Sequence, residues 1–200
     1  IQQPEPQAAA ETPYMLYQGA LNAGRGIETA LAAMSQLTGL ELWLAGEGDL
    51  SNDLRALAKQ LGVEARVRFL GYVKPAELKA LTAKAWLGLN LLENKGLSYY
   101  YSLANKFFDY VQATVPVLTM DFPEYRALQA RHPVGVLLPE LSTETFVQAV
   151  RTLSTDKMRY EALQTACRAA REEWNWDKEQ ATLLNIWAKV FEKQPRKFPC

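Results

Sequence analysis

The chain has 200 residues, of which 48% are hydrophobic, and its 22 Lys and Arg residues balance 22 Asp and Glu residues. A net charge of zero argues against nonspecific nucleic-acid binding, which needs a basic face. One histidine and two widely separated cysteines, Cys167 and Cys200, lack the spacing of a metal site, so we expect no metal. The apolar runs are too short to span a bilayer, and no signal peptide opens the sequence. We therefore expect a cytoplasmic protein in a reducing compartment.

The two ends of the sequence differ from its middle. Residues 1–13 carry several prolines and no apolar periodicity, which indicates a linker or a disordered tail. Residues 14–193 alternate between strand-like and helix-like patterns, and residues 194–200 form a short tail. We therefore expect one folded domain over residues 14–193, flanked by a linker and a tail.

The middle of the sequence contains six short apolar runs separated by helical patterns. In order, these runs are "YMLYQG", "LELWLAG", "RVRFLG", "WLGLNLL", "VPVLTM" and "VGVLL". Runs that are continuously apolar, rather than alternating, are typical of strands covered on both faces. The pattern predicts an α/β fold: a doubly wound, Rossmann-like parallel sheet of about six strands with helices on both faces. Ligands of such sheets bind at the carboxyl ends of the strands.

The stretch "YQGALNAGRGIE" follows the first predicted strand and opens the first predicted helix. Gly19, Gly24 and Gly26 surround Arg25 there, and glycines let a ligand approach the backbone closely. An arginine beside a helix N-terminus suits a phosphate group. The spacing matches neither the dinucleotide-binding fingerprint nor the P-loop. The alternative is an ordinary loop with an exposed arginine.

The stretch "SLANKFFDYVQATVPVL", residues 102–118, predicts a helix followed by a buried strand. Ser102 is a candidate N-cap. The free backbone N–H groups of Leu103, Ala104 and Asn105 would then form an anion site at the strand ends. The aromatic residues of this helix are expected to belong to the core.

Asp109 lies one helical turn after Asn105 and shares its face of the predicted helix. A bound anion would repel this carboxylate, but a sugar hydroxyl slightly further along could donate a hydrogen bond to it. The alternative is a surface ion pair between Lys106 and Asp109, which are three residues apart.

Taken together, these motifs make residues 14–190 resemble the C-terminal domain of the family-4 retaining glycosyltransferases, which have the GT-B fold. The segments that carry the resemblance are "YQGALNAGRGIETALAAM", "LELWLAGEGDL", "VRFLGYVKPAEL" and "SLANKFFDYVQATVPVL". Each motif alone is weak. Their order, and their places at the ends of the predicted strands, are specific to the family.

The resemblance implies where the phosphates of a sugar donor would bind. Gly19, Arg25 and Gly26 match the family pattern of glycine, five residues, a basic residue and glycine, in which the basic residue binds the donor diphosphate. That role makes Arg25 the expected catalytic residue, since it would stabilise the departing diphosphate. The family often has a further arginine directly after the first glycine, and here that position is Ala20.

The resemblance also implies contacts to the rest of the donor. Gly46 and Gly48, after the second strand, match a motif that lies near the donor. After the third strand, Gly71, Tyr72 and Val73 match a motif whose backbone lies near the nucleobase.

The family hallmark is a pair of glutamates eight positions apart. The second glutamate holds the ribose hydroxyls and aligns with Asp109, whereas the first contacts the transferred sugar and aligns with Tyr101. Glu93 or Asn94, in the preceding loop, could replace that contact. The residues expected to bind the donor are Gly19, Arg25, Gly46, Tyr72, Val73, Tyr101, Ser102, Leu103, Ala104, Asn105, Lys106 and Asp109.

The implied function is retaining, metal-independent transfer from a nucleotide-diphosphate sugar, with no cofactor. In the family an N-terminal domain of the same protein holds the acceptor, so we expect that domain as a partner and the isolated chain to be inactive. Any contact with a membrane surface would come through that domain. We also expect self-association through the apolar C-terminal helix, "DKEQATLLNIWAKVFEK". The alternative function is a stand-alone nucleotide-sugar-binding or sensory module without transfer.

Overall fold

The structure of the chain, a computed structural model, describes residues 12–192. Its strands are Tyr14–Gln18 (β1), Glu41–Ala45 (β2), Val67–Gly71 (β3), Leu87–Asn90 (β4), Val117–Met120 (β5) and Gly135–Leu138 (β6). Its α-helices are Ile27–Met34 (α1), Ser51–Gln60 (α2), Pro75–Lys84 (α3), Leu97–Tyr100 (α4), Asn105–Gln112 (α5), Pro123–Arg131 (α6), Thr143–Thr155 (α7), Lys157–Glu173 (α8) and Trp176–Glu192 (α9). The predicted linker lies almost entirely outside the described residues, and the predicted tail lies wholly outside them.

The strands form one parallel sheet in the order β3-β2-β1-β4-β5-β6. This arrangement confirms the predicted doubly wound fold, because the strand order reverses between β1 and β4. In open α/β sheets the crevice at such a reversal is the usual ligand site. The carboxyl ends of β1 and β4 therefore mark the place to search.

The helices form two layers, one on each face of the sheet. Helix α1 contacts both α2 and α7, and helix α5 contacts both α3 and α8. The Tyr14 hydroxyl donates a hydrogen bond to the Leu81 carbonyl of α3, at 2.6 Å. Since side chains alternate along a strand, Gln18 at the end of β1 points to the same face as Tyr14, toward α3 and α5. Tyr17 points to the opposite face.

Helix α5 covers buried strands of the core. All residues of β1, β4 and β5 are buried, because helices cover both faces of these strands. Tyr110 of α5 packs on Gly88 of β4, where any side chain would collide with its ring. Its hydroxyl donates to the Leu16 carbonyl at 2.9 Å and accepts from the Gln18 backbone N–H at 3.2 Å. Tyr110 and Phe107 are fully buried, which confirms that these aromatic residues belong to the core.

In the described part of the chain, no helix combines the length and the apolarity that a membrane span requires.

Candidate functional site

Three glycines lie side by side at the carboxyl ends of β1, β2 and β3. The Gly19 N–H donates to the Ala45 carbonyl at 2.9 Å, and the Gly46 N–H donates to the Gly71 carbonyl at 2.8 Å. A Cβ atom on Gly46 would lie 2.0 Å from the Gly19 carbonyl oxygen, so only glycine fits there. Gly46 therefore supports the backbone turn at Gly19, which faces the crevice.

Two cationic side chains, those of Arg25 and Lys106, lie near the end of β1. The Arg25 guanidinium lies over the Tyr99 ring, 5.4 Å from its centroid. The Lys106 Nζ lies 3.8 Å from the centroid of the Tyr17 ring, and a Cβ atom on Gly19 would be 3.1 Å from it. Lys106 thus extends from the start of α5 across the edge of the sheet to the end of β1.

The electrostatic surroundings of the two cations favour an anionic ligand. Burial, together with the nearby Arg25 charge, lowers the pKa of Lys106 to about 7. The Tyr17 hydroxyl beneath it stays neutral, because burial raises the pKa of that tyrosine to about 12. Between residues 12 and 192, no carboxylate lies within ion-pair distance of Arg25 or Lys106. An anion bound here would relieve this repulsion, and a diphosphate has the matching charge and oxygen atoms.

The start of α5 differs from the prediction. The helix begins at Asn105 with Ala104 at the N-cap, and the Ser102 hydroxyl donates instead to the Tyr99 carbonyl, at 2.9 Å. Ser102 is therefore not the N-cap, because the short helix α4 ends just before it and offers a nearer acceptor. The predicted anion site at residues 103–105 also shifts, since the Ala104 N–H donates to the Tyr125 hydroxyl at 3.0 Å.

Unpaired backbone N–H groups lie in the first turn of α5 and just before it. Within the described residues, the N–H groups of Leu103, Asn105 and Lys106 make no hydrogen bond, so two of the three N–H groups predicted to be free are unpaired. They lie at the positive end of the helix dipole, on the same short segment as the Lys106 ammonium group. The Leu103 side chain is half exposed beside them.

Asp109 does not pair with Lys106, so the surface ion-pair alternative is wrong. Its Oδ2 accepts a hydrogen bond from Gln18 Nε2 at 2.8 Å, while Lys106 turns the other way, toward Tyr17. Burial raises the pKa of the Asp109 carboxyl, and the Gln18 donor opposes that rise. Gln18 itself is almost fully buried, at 4% exposure.

Asp109 and Gln18 line a cleft of about 790 Å³ between α3 and α5. Pro75 and Leu78 of α3 form its apolar side, and its size lies in the range that holds small organic ligands. The Lys106 side chain leaves α5 toward Tyr17, whereas Asp109 lines this cleft on the side of α3. A ligand with a diphosphate at one end and a ribose at the other would match both.

The remaining predicted residues lie further from this centre. Tyr72, at 79% exposure, and Val73 follow β3, and their side chains line a separate depression of about 430 Å³ on α3. Tyr101 is 57% exposed and packs edge-on against Tyr100. Glu93 forms an ion pair with Lys95 at 2.7 Å. The predicted base and sugar contacts therefore lie at the edges of the site.

Two polar residues of the site were not predicted. Gln18 and Thr82 are both buried, and the Thr82 hydroxyl lies 2.8 Å from Gln18 Oε1. A polar residue at the end of the otherwise apolar run "YMLYQ" was a signal for Gln18. Thr82 sits in an ordinary helical pattern and gave no signal. As for metals, the described residues contain no group of three His, Cys, Asp or Glu that could hold an ion.

Comparison with known proteins gives a family. A family model described as "Glycosyl transferases group 1" matches residues 12–156. The lipopolysaccharide core biosynthesis glycosyltransferase LpsE of Rhizobium meliloti is 38% identical over 63 residues, which are 32% of this chain and 18% of LpsE. The chain spans less than half the length of the curated relatives it matches.

Solved structures share the fold at low identity. Sucrose-phosphate synthase from Thermosynechococcus elongatus matches with a TM-score of 0.80 and 19% identity, over 92% of this chain and 47% of that one. Alr3699/HepE from Anabaena, solved in complex with UDP-glucose, matches with a TM-score of 0.76 and 16% identity, over 92% of this chain and 50% of that one.

Proposed function

Because the chain belongs to the group 1 glycosyltransferase family and fits the C-terminal domain of a GT-B enzyme, we propose that it is the donor-binding half of a retaining transferase. It binds a nucleotide-diphosphate sugar, whose sugar passes to an acceptor held by an N-terminal domain of the same protein. The HepE structure supports this kind of ligand, since that neighbour was solved with UDP-glucose.

One observation carries the proposal: Lys106 reaches the turn of Gly19, where the strand order reverses, and Arg25 lies near enough for its charge to lower the pKa of that lysine. Neither cation has a carboxylate partner within ion-pair distance among the described residues. Charges of like sign are held together at a cost, which a bound anion removes. The carboxylate of Asp109 lies in a separate cleft on the same helix. A nucleoside diphosphate would satisfy both features at once.

The same groups account for the chemical step. When the bond between the sugar and the diphosphate breaks, negative charge develops on the leaving phosphate. Arg25, the Lys106 ammonium and the first N–H groups of α5 are fixed in place to stabilise that charge, and stabilisation of this kind is often the main source of an enzyme's rate enhancement. These cations supply the charge that a metal ion gives in other transferases, so we propose that transfer is metal-independent. Where the family often has a second phosphate-binding arginine, this chain has Ala20, and Lys106 supplies the positive charge instead.

The ribose end of the donor has a different task. Asp109 accepts hydrogen bonds from the ribose hydroxyls, and the apolar side of the cleft formed by Pro75 and Leu78 contacts the nucleoside. The backbone after β3, at Tyr72 and Val73, lies at the start of α3 and is our candidate for the base contact. The transferred sugar would lie toward Tyr101.

The first test is a donor screen. We expect thermal stabilisation of the chain by one family of ligands among UDP-, GDP-, ADP- and dTDP-sugars and their diphosphates. Calorimetry with the active diphosphate and its nucleoside should show that Arg25→Ala weakens binding of the diphosphate only. If no nucleotide binds, the donor-site proposal is wrong.

A second test concerns the acceptor half. We expect no transfer by the 200-residue chain alone and transfer by the longer protein, with chelators having no effect. Transfer by the isolated chain would refute the need for a second domain. A longer protein that binds donor but transfers to no acceptor would favour a binding or sensory module.

A further inference from the structure

A short series of hydrogen bonds crosses the floor of the cleft between α3 and α5. The Thr82 hydroxyl of α3 lies 2.8 Å from Gln18 Oε1 at the end of β1, and Gln18 Nε2 donates to Asp109 Oδ2 of α5, also at 2.8 Å. An ionised carboxylate can only accept, so the amide must present its NH2 group to Asp109 and its oxygen to Thr82. The single hydroxyl hydrogen of Thr82 is shared between Gln18 and the Leu78 carbonyl, which is equally close.

The burial of this series is unusual for polar groups. Gln18 is 4% exposed and Thr82 is 3% exposed, while the other four residues of β1 are apolar or aromatic and buried. Burying an amide is costly unless its groups are hydrogen-bonded. Here the oxygen and the NH2 group of the Gln18 amide both make hydrogen bonds, and the NH2 group donates to a carboxylate that lines an open cleft. A residue that only filled the core would be better as leucine or methionine.

The series leaves half of the Asp109 carboxylate available. Gln18 engages Oδ2, and within residues 12–192 no hydrogen bond reaches Oδ1. Holding one oxygen restricts where the other can lie, and the Asp109 side chain lines the cleft. The side chain is thus oriented before any ligand arrives, which removes part of the ordering cost of binding.

We propose that Gln18 is a positioning residue: anchored by Thr82, it holds the Asp109 carboxylate so that its second oxygen meets the donor ribose. The proposal rests on the donor-binding function proposed above. It joins three elements, β1, α3 and α5, and it makes the placement of α3 matter for nucleoside affinity.

The charged groups around Asp109 set the background for a test. Lys79 of α3 and Arg171 of α8 line the same cleft, and the buried Tyr110 lies beneath it on α5. None of these groups changes when Gln18 is replaced. Burial raises the pKa of Asp109 and the Gln18 donor lowers it, so removing the donor should move this pKa upward.

The first experiment needs no ligand. Carboxyl NMR should follow the titration of Asp109 in the wild type, in Gln18→Met and in a matched control, Gln129→Met. Gln129 Oε1 accepts a hydrogen bond from the Gly135 N–H at 3.2 Å, at the far edge of the sheet. We expect a higher Asp109 pKa in Gln18→Met and no change in Gln129→Met. An unchanged pKa in Gln18→Met would overturn the proposal.

A second pair of variants covers the case in which Gln18→Met does not fold. Thr82→Ser keeps the hydroxyl, and Thr82→Val removes it with little change of shape. We expect the Asp109 pKa to rise in Thr82→Val, by less than in Gln18→Met, and to stay at the wild-type value in Thr82→Ser. Equal values in both Thr82 variants would show that the anchor does not act on Asp109.

The binding experiment separates positioning from a direct contact. With UDP, GDP and ADP as probes, Gln18→Met should weaken whichever diphosphate binds the wild type by about three- to tenfold. In an Asp109→Ala background the same change should have no further effect. Losses that multiply in the double variant would mean that Gln18 acts independently. If the wild type binds none of these three diphosphates and no dTDP, the proposed function fails, whereas the NMR titration still decides the role of Gln18.

Discussion

The candidate donor site has two ends that treat charge in opposite ways. At the proposed phosphate end, formed by Gly19, Arg25 and Lys106, the Arg25 charge lowers the pKa of Lys106, and neither cation has a carboxylate partner among the described residues. At the ribose end, formed by Gln18, Thr82 and Asp109, the charge already has a fixed hydrogen-bond donor. Lys106 and Asp109 lie one turn apart on α5, so the helix itself does not cause the difference.

We expect the two ends of the site to contribute differently to ligand binding. An unpaired, partly desolvated charge destabilises the free protein, and a ligand of opposite charge removes that cost when it binds. The Asp109 carboxylate is already held by a hydrogen bond, so it should orient the ligand more than it adds to affinity. The phosphate end should therefore dominate affinity and its pH dependence, and the ribose end should decide how the nucleoside is oriented.

The largest expected effect comes from removing both cations. Each charged contact to a phosphate contributes roughly 1.5–3 kcal/mol, so Arg25→Ala combined with Lys106→Met should weaken diphosphate binding by well over a hundredfold. Binding of the nucleoside should change by less than about twofold, since it has no phosphate. Calorimetry measures both. The control, Arg55→Ala with Lys59→Met, removes two cations from the surface of α2. A double variant that keeps diphosphate affinity within a few-fold would contradict the phosphate assignment.

Replacing Asp109 tests the other end. Asp109→Ala should weaken the diphosphate and the nucleoside alike, by about ten- to a hundredfold, because both carry the ribose. Asp109→Glu should keep most of the affinity, since it retains the carboxylate. The exposed Asp53 of α2 provides a control through Asp53→Ala. Wild-type affinity of Asp109→Ala for both ligands would remove Asp109 from the site.

The pH dependence of diphosphate binding should report Lys106. In the free protein its pKa is lowered to about 7, and a bound anion would raise it again. The complex then holds more protons than the free protein at alkaline pH. Affinity should be fully present below about pH 7 and should fall by up to about tenfold per pH unit above it. Lys106→Met should have a flat profile between about pH 7.5 and 9.5. A wild-type profile as flat as that of the variant would mean that Lys106 does not gain a proton on binding.

The same residue should show a trade-off between stability and binding. A lysine whose folded pKa is depressed destabilises the protein fully below about pH 7, and the penalty fades as pH rises toward the ordinary value of 10.5. Lys106→Met should therefore raise the free energy of unfolding at about pH 6 by about 1–3 kcal/mol, with a smaller gain at about pH 9. Urea unfolding at the two pH values measures this. A variant that is less stable than the wild type at the lower pH would show that the ammonium group has partners within the fold.

The smallest expected effect concerns the exposed apolar surface of α9. Its apolar side chains are exposed, and the rings of Trp187 and Phe191 stack with their centroids 5.5 Å apart. We expect weak, concentration-dependent self-association of the isolated chain, which Trp187→Ala should weaken by about tenfold. Sedimentation velocity measures it, with Met158→Ala on the exposed surface of α8 as the control. A strictly monomeric chain at high concentration would contradict this expectation.

The sequence by itself determined the architecture, and it predicted the two ends of the candidate site. Six continuous apolar runs specified buried parallel strands, and the helices follow the predicted pattern, because periodicity and burial are local properties of the chain. Arg25 and Asp109 were predicted as site residues because each lies in a motif at a strand end or a helix start. The pattern also predicted that Phe107 and Tyr110 belong to the core.

Only the tertiary structure decided which groups those residues meet. The Ser102 hydroxyl could cap the N-terminus of α5 or bond a carbonyl at the end of α4, and in the structure it donates to the Tyr99 carbonyl of α4. Lys106 could pair with Asp109, but Gln18, which is 91 positions away in sequence, takes that carboxylate and leaves the lysine over Tyr17. A charge acquires its partner from whatever the fold brings within a few ångströms, and that distance depends on how distant segments pack. For this reason the unpaired phosphate end and the hydrogen-bonded ribose end, one turn apart on the same helix, became distinguishable only in three dimensions.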